Sequence, residues 1–204
     1  FLATKCGVRP IPGGRDGEFE GLSRAAIRAA VEGSLERLGT DRIDLYYMHV
    51  DWRIEPLEET LGAFAELVNE GLVTHIGCSN METWRLVYAR ELARKNGWPQ
   101  FAAIQQWYSY LRPRYHADLW VQRFVSEELL DYVETEQDVT ILAYTGTLGG
   151  LYRWDSIYEK NHPALSDRFH SEDNERRFAV IKEIASARGV SPFQVVFAWM
   201  RKQK

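Results

Sequence analysis

The chain has 204 residues, 45% of them apolar, and a formal net charge of -4; that length buries one sizeable core, and a single domain is the expectation. Acids and bases are interspersed rather than blocked, which speaks against a nucleic-acid or membrane-surface partner, and no apolar stretch approaches the roughly 20 residues that span a bilayer. The chain opens without a secretory leader pattern, and its two cysteines, Cys6 and Cys78, have no CxxC spacing, so neither a metal site nor a disulfide framework is expected and a reducing cytoplasm is the simplest location.

The first element is the strand-like run FLATK at 1–5. Phe1 stands where a starting methionine would be, inside that run, which suggests a fragment. Ser23 then caps a helix whose apolar residues Ile27, Val31, Leu35 and Leu38 recur at near-helical spacing, with Gly39 as its stop. RIDLYYMHV at 42–50 gives a second strand. Pro56 takes the first helical position before Leu57, Leu61, Phe64, Leu67 and Val68, and Gly71 closes that helix. THIGCS at 74–79 is a third strand, and the stretch from Met81 to Gly97 is a third helix. FAAIQQWYS at 101–109 and DVTILAY at 138–144 are the last two strands, separated by a helix from Ser126 with an acidic first turn. Near the end, Ser191, Pro192 and Gln194 form a capping-box start to a final helix. Each strand reads as buried on both faces. The long irregular stretch 145–173, with Trp154, Tyr158, His162, Pro163, Phe169 and His170, reads as a functional lid or a disordered loop.

Strands alternating with helices imply a parallel sheet with right-handed crossovers. Two architectures fit, a closed eight-stranded barrel and an open doubly wound sheet. The latter calls for a G-x-G-x-x-G turn after its first strand, and KCGVRPIPGGRDG does not supply one. The expected fold class is therefore α/β, a (β/α)8 TIM barrel with about five of its eight strands present. Five strands alone would leave two open edges, which favours association over a stable monomer.

On a parallel barrel the catalytic groups collect at the C-terminal strand ends. Those ends offer Lys5, His49, Ser79 with Asn80, Gln105 and Tyr144. Each has a structural alternative. Lys5 can be a lysine snorkelling from a strand end, His49 a hydrogen-bonded core histidine, Ser79 and Asn80 a cap for the helix after Met81, Gln105 a partner for backbone groups, and Tyr144 core filling.

The segments FLATK, SLERLGTDRIDLYYMH, EGLVTHIGCSN, IQQWYS and ILAYTGTLGG, in that order, resemble the aldo-keto reductase superfamily. The resemblance covers nearly the whole chain and implies a barrel that reduces an aldehyde or ketone to an alcohol with NADPH, or with NADH. It implies that Lys5 lowers the pKa of a catalytic tyrosine and that His49 orients and polarises the carbonyl. It places Ser79, Asn80 and Gln105 on the nicotinamide carboxamide, with Gln105 rather than Gln106 set by its distance from Tyr108. Tyr144 would stack on the nicotinamide ring. Thr145, Gly146 and Thr147 follow where the family has serine, proline and leucine, and the missing proline is expected to loosen the turn that holds the pyrophosphate. Thr145 and Thr147 remain candidate cofactor ligands, with Gly146, Gly149 and Gly150 permitting close approach of phosphate. Trp52 and Trp107 are candidate walls of the pocket for a small-molecule carbonyl substrate, or core residues.

The family's tyrosine and its partner aspartate precede the lysine and are not among these 204 residues. Tyr46 and Tyr47 occupy ordinary positions of the motif. The competing reading is a non-catalytic barrel of the same family that senses nucleotide or binds a protein partner. A metal-dependent hydrolase is disfavoured because the histidines form no H-x-H or H-x-x-x-H pair. No pattern specifies an oligomeric state.

Overall fold

The computed structural model describes residues 1–11, 13–15, 17–158 and 166–203. The β-branched and aromatic runs form five strands, β1 (Ala3–Cys6), β2 (Ile43–Met48), β3 (Val73–Ser79), β4 (Phe101–Trp107) and β5 (Thr140–Tyr144), in one sheet of order β1-β2-β3-β4-β5. β1 with β2, β2 with β3, and β3 with β4 pair in parallel. Strand order that follows chain order without reversal is the order of a barrel wall, since a doubly wound sheet reverses at its switch point.

Among the described residues six helices accompany the strands: α1 (Arg24–Leu38), α2 (Leu57–Asn69), α3 (Thr83–Asn96), α4 (Glu127–Glu136), α5 (Glu172–Arg188) and α6 (Pro192–Met200). Their caps account for most boundaries. Ser23 Oγ accepts from the Ala26 N–H, and Gly39 leaves α1 in the left-handed conformation. Ser126 Oγ accepts from the Leu129 N–H at 3.1 Å, and α6 has the expected capping box of Ser191 and Gln194. Pro56 is a correction: it stands just outside α2, with ψ at 130°, and offers its carbonyl to the N–H groups of Glu59 and Thr60.

α5 is the second correction, because the alternation of strand and helix had no place for it. Its signals are present in the chain. Ser171 Oγ accepts from the Asn174 N–H, Glu172, Asp173 and Glu175 fill the first turn, and Gly189 ends the helix. Part of the stretch expected to be irregular is also ordered, as 3-10 segments at Leu148–Arg153 and Ser166–Phe169; His162 and Pro163 lie outside the described residues. Burial on both faces fits β2 but not the outer strands. Cys6 alone is buried in β1, and no residue of β5 is, because among the described residues each has one strand neighbour.

The chain divides into two compact units, residues 1–105 with 131–142, and residues 106–130 with 143–204. In the first, one face of the sheet packs Tyr46 on Phe64 of α2, ring centroids 5.8 Å apart, while the other carries a cluster of Leu45, Tyr47 and Ala103 with Leu142 beside it. Arg90 of α3, only 1% exposed, donates to the Phe101 carbonyl at 2.6 Å and pairs with Asp138. In the second unit, Trp107, Leu111, Leu148, Leu151, Tyr152, Phe169, Phe178 and Val196 belong to one buried cluster. Among the described residues, no helix is long and apolar enough to cross a membrane.

Candidate functional site

Parallel strands that end on one edge of a sheet bring their last side chains together. The register sets Lys5 beside Tyr47, Tyr47 beside Gly77, and Gly77 beside Ala103; further along, Ser79 lies beside Gln105. His49 follows β2 directly, and its backbone N–H donates to the Cys6 carbonyl at 3.0 Å. Four of the expected positions, Lys5, His49, Ser79 with Asn80, and Gln105, therefore sit at the ends of four successive strands of the first unit.

Lys5 and His49 are both half-buried. The Lys5 ammonium lies 5.2 Å from the centroid of the Tyr47 ring, and it forms no ion pair with another described residue. Burial lowers its pKa. Neither imidazole nitrogen of His49 hydrogen-bonds to another described residue, which sets it apart from a satisfied core histidine. Burial first, and then the charge of Lys5, lower the His49 pKa. A base held below its ordinary value is neutral at neutral pH, so the imidazole keeps one N–H to donate and one lone pair.

Ser79 and Asn80 do not cap α3, which starts at Thr83 behind Glu82. They brace the strand ends instead. Ser79 Oγ donates to the Gln105 carbonyl at 2.7 Å, and Asn80 Nδ2 donates to the His49 carbonyl and to Ser79 Oγ, each at 3.1 Å. Asn80 holds a left-handed φ of +54°, which asparagine tolerates better than most residues, and its N–H also reaches the Gln105 carbonyl. With its hydrogen given to Gln105 and one lone pair taken by Asn80, Ser79 Oγ keeps a second lone pair. The half-buried Gln105 side chain carries both a donor and an acceptor. A primary carboxamide needs one acceptor and one donor, so this set fits the nicotinamide head of NAD(P)H.

Of this edge, Asp51 went unnoticed in the sequence and Tyr47 was given no role there. The Asp51 carboxylate, 5% exposed, pairs with Arg85 at 2.5 Å and Arg53 at 3.2 Å, and Arg53 has a left-handed φ of +58°. Tyr47, read as an ordinary strand residue, is 1% exposed with its ring under Lys5. The signal for Asp51 was an acid two residues past His49 with arginine next to its neighbour. Trp52 stacks on Phe19 at 5.3 Å and 19°, and its Nε1 donates to the Gly7 carbonyl at 2.5 Å, so one face of the indole is already covered.

Tyr144, Thr145, Thr147 and Trp107 belong to the second unit. Trp107, offered as a pocket wall, is 2% exposed and enclosed by Phe124, Tyr144 and Phe169; it is an interior residue. Tyr144 is half-buried and stacks on Trp107 at 6.5 Å and 22°, and burial pushes its hydroxyl up to about 12. The turn after it is not loose for want of proline. Leu148 N–H donates to the Thr145 carbonyl at 2.8 Å and Gly150 N–H to the Thr147 carbonyl at 3.0 Å. Ser109 Oγ donates to the Gly146 carbonyl at 2.7 Å and shares a hydrogen bond with the Tyr152 hydroxyl. Those bonds hold Thr145 at a φ of +52°, a conformation that costs a β-branched residue energy. Gly146 is also closely packed: a Cβ there would come within 2.8 Å of Met200 Sδ, near the far end of a flexible side chain on α6. Among the described residues, no group of three or more His, Cys, Asp or Glu could hold a metal ion.

The family model described as "Aldo/keto reductase family" matches residues 1–204. An aldo-keto reductase of Fusarium vanettenii is 31% identical over 90% of this chain and 48% of its own length. The versiconal hemiacetal acetate reductase of Aspergillus parasiticus is 30% identical over 93% of this chain and 56% of its own, and an aldo-keto reductase of Strobilurus tenacellus is 32% identical over 100% and 56%. A solved structure provisionally assigned as a 2,5-diketo-D-gluconic acid reductase B superposes with a TM-score of 0.64 over 96% of this chain and 51% of that one, at 22% identity, a likeness of fold. The chain spans about half the length of these relatives.

Proposed function

The chain belongs to the aldo/keto reductase family, and from that premise we propose that it supplies the lysine, the histidine and the nicotinamide-binding side chains of an NAD(P)H-dependent reductase of aldehydes or ketones. The observation that carries the reading is the pair of half-buried bases at adjacent strand ends, Lys5 and His49, without hydrogen-bonding or ionic partners among the described residues. An unsatisfied polar group in a half-buried place is costly, and a substrate oxygen with its proton donor would satisfy both.

NAD(P)H, when bound, supplies the hydride. His49, kept neutral by burial and by the charge of Lys5, donates its N–H to the carbonyl oxygen, and that bond strengthens as negative charge develops there. Lys5 favours the anion of a phenol set beside it and so tunes the proton donor that the family resemblance implies. Ser79, Asn80 and Gln105 orient the carboxamide and with it the ring face presented to substrate. Hydrogen bonds to the Gln105 and His49 carbonyls keep the Ser79 and Asn80 side chains from re-orienting. Tyr144 is assigned to the nicotinamide ring and Thr145 and Thr147 to the pyrophosphate, on a turn already held by Ser109. Trp52 remains a candidate wall of the carbonyl pocket, with NADPH as the first cofactor to try and the cytoplasm as the setting.

Steady-state kinetics of the Lys5→Met and His49→Asn variants test this. Each is expected to lower kcat by roughly 10²- to 10⁴-fold with nucleotide affinity retained. Unchanged kcat in both variants would overturn the reading.

A further inference from the structure

We propose that Tyr47 is a positioning residue: its ring, seated over Gly77, is the floor on which the Lys5 ammonium rests, and it thereby fixes the side chain that the reductase reading puts at the reacting centre. The proposal rests on that reading for its functional meaning and on geometry for its substance.

Lys5, Tyr47, Gly77 and Ala103 form one continuous row across four strands. The ammonium stands 5.2 Å from the Tyr47 ring centroid, inside the range of about 6 Å in which a cation is drawn to an aromatic face. A lysine carries a long, flexible stem, and with no carboxylate paired to it among the described residues the ring is the group that restrains it.

The ring itself is locked. Tyr47 is 1% exposed and packed with Leu45, Ala103 and Leu142. A Cβ at Gly77 would stand 2.7 Å from both Cδ1 and Cε1 of Tyr47 and 3.0 Å from the Ala103 carbonyl oxygen. Gly77 therefore lacks a side chain because the Tyr47 ring fills that space. The hydroxyl is not the working part: it is buried without a hydrogen-bond partner among the described residues, and burial pushes its pKa up to about 12, which makes it a poor proton donor at neutral pH. What remains is the face.

The test is an NMR titration of the Lys5 ε-ammonium in the parent and in the Tyr47→Phe, Tyr47→Leu and Gly77→Ala variants, each first checked for folding by circular dichroism. The other charged and titratable groups lining the cavity at Lys5 are Cys6, Arg9, Glu20 and Arg37, with His49 near enough to feel its charge; all stay in place. Tyr47→Phe keeps the face and should leave the Lys5 midpoint where it is in the parent. Tyr47→Leu removes the face, leaving desolvation unopposed, and should move the midpoint down by roughly 0.5 to 1 pH unit. Gly77→Ala, which displaces the ring, should move it the same way. A midpoint unchanged in whichever of the last two variants folds overturns the proposal, whatever the enzyme activity. A shifted midpoint in a protein that reduces no carbonyl supports the platform and overturns the reductase reading instead. A shifted midpoint together with a downward move of the pH profile of kcat supports both.

Discussion

His49 is a base whose folded pKa lies below its ordinary value of 6.5, and burial is the larger cause, followed by the charge of Lys5. Between the folded and unfolded values the unfolded chain binds more protons, so stability rises with pH there. The contribution is fully present above about pH 6.5 and is lost as acid brings the pH down through the folded pKa. Replacing His49 with asparagine removes that term. Urea unfolding at pH 7.5 and at pH 5.5 should show the parent losing more stability on acidification than His49→Asn does, and an equal loss would show that the imidazole is not held neutral. The same neutrality makes His49 a donor of one hydrogen bond rather than a cation, which is the form the proposed chemistry uses. Lys5 adds to that effect, so Lys5→Met should also bring the His49 titration back toward 6.5.

At the scale of elements, Asn174 shows what the second unit depends on. It lies in the first turn of α5, 1% exposed, and its side chain is fully engaged: Nδ2 donates to the carbonyls of Arg112 and Phe169 at 2.6 and 2.8 Å, and Oδ1 accepts from the Arg112 N–H at 3.2 Å. Asn174→Ala leaves the buried Phe169 carbonyl and the part-buried Arg112 N–H and carbonyl without that partner and is expected to cost about 2 kcal/mol, measured by denaturant unfolding; a loss below about 1 kcal/mol would show that those groups find other partners. This helix also marks the limit of what the residues alone disclosed. The five strands and five of the six helices were legible because their signals are local: β-branched runs, a serine ahead of each of α1, α4 and α6, glycine behind α1. α5 carries the same signals at Ser171 and Gly189 but breaks the strand–helix alternation, and the pattern was followed at its expense. The capping role open to Ser79 and Asn80 is overturned for a different reason: their hydrogen bonds reach the His49 carbonyl just past β2 and the Gln105 carbonyl in β4, 31 and 26 positions away in sequence, and no local pattern carries such partners. The approach of Met200 on α6 to Gly146 is likewise a contact between distant segments that no local pattern carries.

At the scale of the molecule, the sheet of β1 to β5 has an outer strand at each end with little buried surface. Unpaired parallel edges offer hydrogen-bonding groups to other chains. The 204-residue chain on its own is expected to sediment at a mass that rises with concentration over the micromolar range, and a concentration-independent monomer would show that these edges are protected. The candidate site follows from the same sheet. Because β1 to β4 run parallel and in chain order, residues drawn from four separate segments arrive at one edge, and the side chains that brace it leave the Lys5 ammonium and the His49 imidazole without hydrogen-bonding or ionic partners among the described residues. The measurement that tests this account most directly is the transfer of label from NADPH deuterated at C4, run at the chain's natural length against a panel of aldehydes and ketones. The account predicts an alcohol with one deuterium on the former carbonyl carbon, formed in step with nucleotide oxidation and suppressed in His49→Asn. Nucleotide bound tightly with no labelled alcohol from any carbonyl would contradict it and point to a nucleotide-sensing protein.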